Sequence, residues 1–210
     1  MRQHNPTRTD VDPDAQRVLD FWFGALVDGF ADAVTRKRWF ASDPEFDREC
    51  ARNFASLVDA AADGNLKEWL STPRGRLAYV IVTDQFTRQI HRGSLQAYAT
   101  DAFALAAAKD GVARGDDLEL AGDERAFFYL PFEHSESRID QHAAVGLFTH
   151  LVATTSPASR ALCEEWLRFA IGHRDIVLRF GRFPHRNATL GREPTDDEVE
   201  FLKRASRFGQ

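Results

Sequence analysis

The stretch SDPEFDRECARNFASLVDAAADG, residues 42–64, carries the pattern that decides the fold of this 210-residue chain. Apolar side chains recur in it at steps of three and four residues, which is the period of an α-helix. They are Phe46, Cys50, Phe54, Leu57, Val58 and Ala61. Asp43 before Pro44 is typical of a helix start, because the carboxylate caps the first turn and proline fits its opening position. Gly64 is the expected end of this helix.

Similar start and stop signals divide the rest of the chain into helices. We predict them from Asp12-Pro13 to Gly24, Thr72-Pro73 to Gly93, Thr100 or Asp101 to Gly115, Gly122 to an interruption at Pro131, Ser135 or Ser137 to Ala153, Ser156-Pro157 to Phe180, and Thr195 to Ala205. No segment shows the sustained alternation and hairpin turns of β-strands. The sequence therefore predicts an all-α fold of about eight helices, in which short connections make neighbouring helices pack antiparallel.

Composition limits the classes of protein to which the chain can belong. Its 43% hydrophobic residues, with 17 Phe and 4 Trp, exclude a disordered chain. We expect one domain over residues 13–208, preceded by a flexible segment over residues 1–12. A net charge of −5 argues against a general nucleic-acid binder. The absence of a secretory signal or a membrane-length apolar run predicts a cytoplasmic protein. Cys50 and Cys163 are expected to be reduced core thiols.

The helix predicted after Thr72-Pro73 changes character along its length. Residues 77–83 are mostly apolar on both sides, which predicts an interior helix. The polar side chains that follow them are Asp84, Gln85, Arg88, His91 and Arg92. Asp84 and Arg88 are spaced to form an ion pair on one helix face. Two interpretations stay open: an internal ion pair that fixes helix packing, or part of a ligand site.

The triplet His134-Ser135-Glu136 follows Pro131, so we expect it at the entrance of a helix. One interpretation is capping, with Ser135 as the N-cap and Glu136 in the first turn, where the helix dipole favours an acid. The other is proton transfer by His134 together with Glu133 or Glu136. The cysteine half of a zinc-deaminase motif is absent. No histidine pair has a recognised metal-ligand spacing, so we expect neither a metal nor a cofactor.

The segment His173–Arg192 is the strongest functional candidate. It holds five arginines and two histidines against one acid, Asp175. Apolar residues that would anchor it to the core are interleaved with them, namely Phe180, Phe183, Pro184 and Leu190. An anchored arginine-rich loop suits the binding of carboxylate or phosphate. Alternatively, these arginines cap helices and pair with acids of the domain, including Asp84, Glu133 and Glu136.

Several stretches of the chain resemble a bacterial family, domain of unknown function 924. They are residues 18–24, 39–40, 72–78, 84–86, 128–132, 134–136, 173–175, 179–187 and 190–192, within a likeness that covers about residues 16–204. The resemblance implies an all-helical, tetratricopeptide-like fold and no established activity. The chain departs from the family pattern at Thr87, where a proline is usual, and at Gln89, where an asparagine is usual.

These features lead to three hypotheses about function. In the first, the segment 173–192 closes over residues 84–92 and His134 to form a cavity for an anionic small molecule or an acidic peptide. Its expected ligand-binding residues are Asp84, Gln85, Arg88, His134, His173, Arg174, Arg182, His185 and Arg186. In the second, the protein is an enzyme of the hydrolase or lyase type. Its candidate catalytic residues are His134, Glu136 and His185. In the third, it is an interaction scaffold whose polar cluster is purely structural.

Overall fold

The computed structural model describes residues 11–204, and the regular structure in this range is helical. The α-helices are α1 Pro13–Phe23, α2 Ala33–Trp39, α3 Pro44–Ala62, α4 Pro73–Val80, α5 Thr87–Ile90, α6 Asp101–Arg114, α7 Gly122–His134, α8 Arg138–Thr154, α9 Arg160–Phe180 and α10 Asp196–Leu202. Residues 11–204 contain no β-strand, and their β-pairing is limited to an isolated bridge between Val27 and Phe30. The all-α prediction is confirmed. The flexibility expected of residues 1–12 lies mostly outside the described residues, as do residues 205–208.

Most predicted helix starts are confirmed by their caps. Asp12 accepts hydrogen bonds from the backbone of α1, Asp43 from α3 and Thr72 from α4. At α10, Thr195 and Glu198 form the predicted reciprocal capping box. Helix α9 begins at Arg160, a few residues after the predicted Ser156-Pro157.

The predicted interruption at Pro131 is wrong. Helix α7 continues through this proline, and His134 is its last residue rather than the entrance of the next helix. Proline removes one helical hydrogen bond, but residues 123–133 are all buried, and this packing keeps the segment helical. The cap of α8 is Ser137 rather than Ser135, so Glu136 lies between the two helices instead of in a first turn.

A continuous central rod passes through the core of the molecule. It consists of α4, a π-helical stretch Ile81–Phe86 and α5, and residues 75–87 are all buried. The predicted interior helix is therefore confirmed. Aromatic side chains of α1, α3 and α7 pack around the rod; the ring centroids of Trp22 and Phe86, for example, lie 5.6 Å apart. Cys50 and Cys163 are buried and free.

The segment that follows α9 packs against the C-terminal part of this helix. Phe183 is fully buried there with Ile176 and Val177, and the partly buried Phe180 and Phe201 pack against them. The expected apolar anchoring of the segment 173–192 is thus present. Within residues 11–204, no helix has the length and apolar character needed to cross a membrane.

Candidate functional site

A partly open cavity of about 620 Å³ lies between α2, the central rod, the end of α7 and the middle of α9. Large aromatic side chains form its aromatic wall: Trp39, Phe40, Trp166 and Phe169. Largely buried polar side chains form its polar floor: Gln85, Arg88, Gln89, Glu133, His134 and His173. Charged side chains nearer solvent form its rim: Arg36, Lys37, Arg92 and Glu165. A volume of this size suits a small organic molecule.

The π-helical stretch of the central rod places two of the functional candidates. Asp84 and Gln85 both lie within Ile81–Phe86, and single turns of π-helix occur frequently at functional sites. The Thr87 hydroxyl lies 3.1 Å from the carbonyl oxygens of both Val82 and Thr83. This hydroxyl supports the wider turn from its C-terminal side.

Asp84 does not itself line the cavity but contacts three side chains of the polar floor. Its Oδ1 lies 2.8 Å from His134 Nδ1 and 2.9 Å from Arg88 Nη1, and its Oδ2 accepts a hydrogen bond from Gln85 Nε2. Burial disfavours ionisation of this carboxyl group, but the charge of Arg88 and the contact with His134 outweigh it and hold the pKa of Asp84 below its ordinary value. Asp84 is therefore an ionised, acceptor-only group at neutral pH.

An ionised Asp84 fixes the orientation of both neighbours. Burial lowers the pKa of His134, and Arg88 and Arg186 add to this effect while Asp84 opposes it. A neutral His134 beside a carboxylate keeps its proton on Nδ1, which leaves a lone pair on Nε2. For the same reason the Gln85 amide nitrogen faces Asp84, so its oxygen points away.

Two hydrogen-bond acceptors are open to the cavity as a result. Within residues 11–204, neither His134 Nε2 nor Gln85 Oε1 makes a hydrogen bond. Both atoms are reached by solvent, because neither is a buried polar atom that lacks a hydrogen-bond partner. Since both residues line the cavity, its polar floor offers acceptors to an incoming O–H or N–H group.

A second histidine–carboxylate pair lies beside the first. His173 Nδ1 is 2.8 Å from Glu133 Oε1 and 2.9 Å from the Phe169 carbonyl oxygen. The ring centroids of His134 and His173 are 6.4 Å apart. Glu133 Oε2 is buried and has no hydrogen-bond partner among the described residues. An unpaired carboxylate oxygen costs ~1–3 kcal/mol, which makes Glu133 an uncommon residue for a purely structural network.

Arg186 and His185 stand behind the polar floor rather than in the cavity lining. Arg186 donates to the His134 carbonyl oxygen at 3.0 Å and stacks on Tyr98 and Phe183. Burial and the charge of Arg88 lower its pKa to about 10. Burial and the charge of Arg186 lower the pKa of His185 to about 3. The geometry therefore favours His134 over His185 as an acid–base group.

The other predicted residues of the segment 173–192 pair with carboxylates away from the cavity. Arg182 forms a two-bond contact with Glu198, at 2.7 and 2.8 Å, and the partly buried Arg174 pairs with its neighbour Asp175. Glu136 is held by Arg192 and by the Phe183 amide, which donates at 2.7 Å. A ligand-binding role for Arg174 and Arg182, and a catalytic one for Glu136, remain predictions.

The structure thus brings the three predicted segments together, with Asp84 and Arg186 both in contact with His134. It also adds residues that the sequence did not predict, namely the aromatic wall and Lys37. One available signal was the spacing of Trp166, Phe169 and His173, which places all three on one face of α9. Among the described residues, no group of three or more His, Cys, Asp or Glu side chains is placed to hold a metal ion.

Comparison with known proteins gives a family and a fold. The model of a family described as bacterial protein of unknown function (DUF924) matches residues 18–206. A solved structure of a protein of unknown function from Agrobacterium tumefaciens is similar, with 36% sequence identity and a TM-score of 0.77. The match covers 91% of this chain and 97% of that chain. A search of curated proteins gave no significant match.

Proposed function

The chain belongs to the DUF924 family of bacterial proteins of unknown function, and we propose that its cavity binds a small organic molecule with an apolar body and an anionic group. The observation that carries this proposal is that the cavity joins an aromatic wall to two open acceptors, His134 Nε2 and Gln85 Oε1. We also propose that the helices have a tetratricopeptide-like arrangement and that the protein is cytoplasmic.

The aromatic wall supports an apolar ligand body. Phe40 and Phe169 are 52% and 48% exposed, although Phe40 belongs to an otherwise well-packed aromatic cluster. Trp166 packs edge-to-face against Phe40, with their ring centroids 5.6 Å apart. When a ligand covers exposed aromatic faces in a concave site, the burial of apolar surface favours binding by about 25 cal/mol per Å². The concave shape favours a small molecule over an acidic peptide.

The rim supports an anionic group at the open end of the ligand. Arg36 is paired with the fully buried Asp123, and Arg92 with Asp47. Lys37 is exposed and makes no ion pair within the described part of the chain. Its ammonium group is therefore available to a carboxylate or phosphate of the ligand, while the polar floor receives a hydrogen-bond donor.

A direct test compares two matched probes, phenylacetate and its neutral analogue phenylacetonitrile, by isothermal titration calorimetry. We expect saturable binding of phenylacetate and weaker binding of the nitrile. Phe169→Ala and Lys37→Gln should each weaken phenylacetate binding by about tenfold, which corresponds to ~1.4 kcal/mol. Phe103→Ala is the matched control, because Phe103 is 45% exposed on α6 and does not line the cavity. The proposal fails if phenylacetate shows no saturable binding, or if the control weakens binding as much as Phe169→Ala.

A further inference from the structure

We infer that the cavity is a hydrolytic active site, in which His134 removes a proton from a water molecule held between His134 Nε2 and Gln85 Oε1. The substrate class is a carboxylic ester with an aromatic or other apolar acyl group. This inference rests on the proposed function, because the same aromatic wall holds the acyl group.

The arrangement around Asp84 suits a bound water molecule. Its two carboxylate oxygens orient His134 and Gln85 so that each presents an acceptor to the cavity. A water molecule has two O–H donors, one for each of these acceptors, and its lone pairs then remain free for attack. A ligand with a single hydroxyl group would satisfy only one of the two.

His134 has the properties of a general base. It is neutral at neutral pH because burial lowers its pKa, and the imidazolium formed by proton transfer is stabilised by ionised Asp84. No serine, threonine, cysteine or tyrosine lies among the described residues that line the cavity. Direct attack by water therefore fits the site better than a covalent intermediate on a hydroxyl or thiol group.

The reaction balances without any further reactant. The water oxygen forms a bond to the ester carbonyl carbon while His134 Nε2 takes one water proton, and the carbonyl π electrons move onto oxygen. The positively charged guanidinium groups of Arg88 and Arg92, which line the cavity, stabilise the negative charge of this oxyanion. The oxyanion then re-forms the carbonyl, the bond to the alcohol oxygen breaks, and His134 returns the proton to the departing alkoxide. The products are a carboxylic acid and an alcohol.

The test uses 4-nitrophenyl phenylacetate as the ester, with release of nitrophenolate as the readout. His134→Asn keeps a donor near the Nδ1 position facing Asp84 and removes the base at Nε2. Gln85→Met removes the second acceptor in a side chain of similar length. His142→Asn is the control, since His142 is exposed on α8 and away from the cavity.

We expect kcat/KM to fall at least 100-fold in His134→Asn and about tenfold in Gln85→Met, while His142→Asn hydrolyses the ester like the wild type. Phenylacetate, the acid product, should bind the wild type and His134→Asn with affinities within about threefold of each other. If the wild type binds phenylacetate but hydrolyses the ester no faster than His134→Asn, the hydrolytic inference is overturned and the binding proposal stands. If phenylacetate does not bind, both are overturned.

Discussion

Asp84 Oδ1 lies 2.8 Å from His134 Nδ1, although fifty positions separate the two residues in the sequence. The contact joins the π-helical part of the central rod to the last residue of α7. It sets which nitrogen of His134 carries the proton, and so which atom faces the cavity. The arrangement of acceptors in the cavity depends on this one contact.

Replacing Asp84 with Asn should destabilise the fold and alter the pH dependence of ester hydrolysis. The change leaves buried Arg88 with one fewer charged partner, so we expect the free energy of unfolding to fall by ~1–3 kcal/mol. Urea denaturation measures this loss. An amide at this position also stops fixing His134 in one tautomer, so the pH profile of kcat/KM should move. Asp14→Asn is the control, because Asp14 forms an exposed ion pair with Arg17 and should change stability by less than ~0.5 kcal/mol. Equal stability of the two variants would contradict the central place given to Asp84.

The contact between Arg182 and Glu198 should make part of the stability dependent on acid. Hydrogen bonds from Arg182 lower the pKa of Glu198 to about 2, from an ordinary value of 4.5. A carboxyl group whose folded pKa is depressed stabilises the fold fully above pH 4.5 and loses that contribution as the pH falls toward about 2.

Urea denaturation at pH 7 and pH 3 can therefore compare the wild type with Glu198→Gln. The wild type should lose more free energy of unfolding between the two pH values than this variant does. Glu200→Gln, at an exposed position of α10, should behave like the wild type. An unchanged pH difference in Glu198→Gln would show that the contact is not formed in solution.

His185 should remain neutral throughout the physiological pH range. Burial and the charge of Arg186 lower its pKa to about 3, from 6.5. A histidine with a depressed folded pKa stabilises the fold fully above pH 6.5, and this contribution is lost as the pH falls toward about 3. Its imidazole proton resonance, assigned by its absence in His185→Asn, should therefore not shift in an NMR titration from pH 8 to pH 5. A midpoint near 6.5 would instead place His185 in an open, solvated site.

The hydroxyl group of Thr87 should contribute to the stability of the π-helical stretch. It lies between two carbonyl oxygens of the rod and 2.9 Å from the buried Thr100 hydroxyl. Thr87→Val keeps the shape of the side chain and removes these hydrogen bonds, so the expected loss is ~1–3 kcal/mol. Thr149→Val is the matched control, because Thr149 is exposed on α8 and also bonds a carbonyl four residues earlier. Equal losses in the two variants would show that the π-helix does not depend on Thr87.

Local signals in the sequence predicted most of the fold because capping depends on neighbours within one turn. Asp12, Asp43 and Thr72 each cap the helix expected of them. The prediction failed at Pro131, because tertiary packing around α7 outweighs the lost backbone bond. The short helix α2 was missed because its seven residues hold only one buried side chain, Trp39, and so show no apolar period.

The candidate site was only partly predictable because its residues meet through long-range packing. The sequence marked the polar residues Asp84, His134 and His173. It could not assign partners to the arginines, since Arg192 pairs with Glu136 across 56 positions. The aromatic wall combines α2 with α9, and no local pattern links these two helices. Residue type showed what each side chain can bind, whereas the fold decides which partner it meets.

The decisive measurement is the structure of a crystal of the protein grown with phenylacetate. We expect the phenyl ring to lie against Trp166 and Phe169, and the carboxylate to lie between Lys37 and the water molecule that attacks the ester. We also expect this water molecule to lie within about 2.6–3.2 Å of both His134 Nε2 and Gln85 Oε1. A structure in which the ligand lies outside the cavity, or in which His134 Nε2 and Gln85 Oε1 bond to protein atoms instead, would contradict this arrangement.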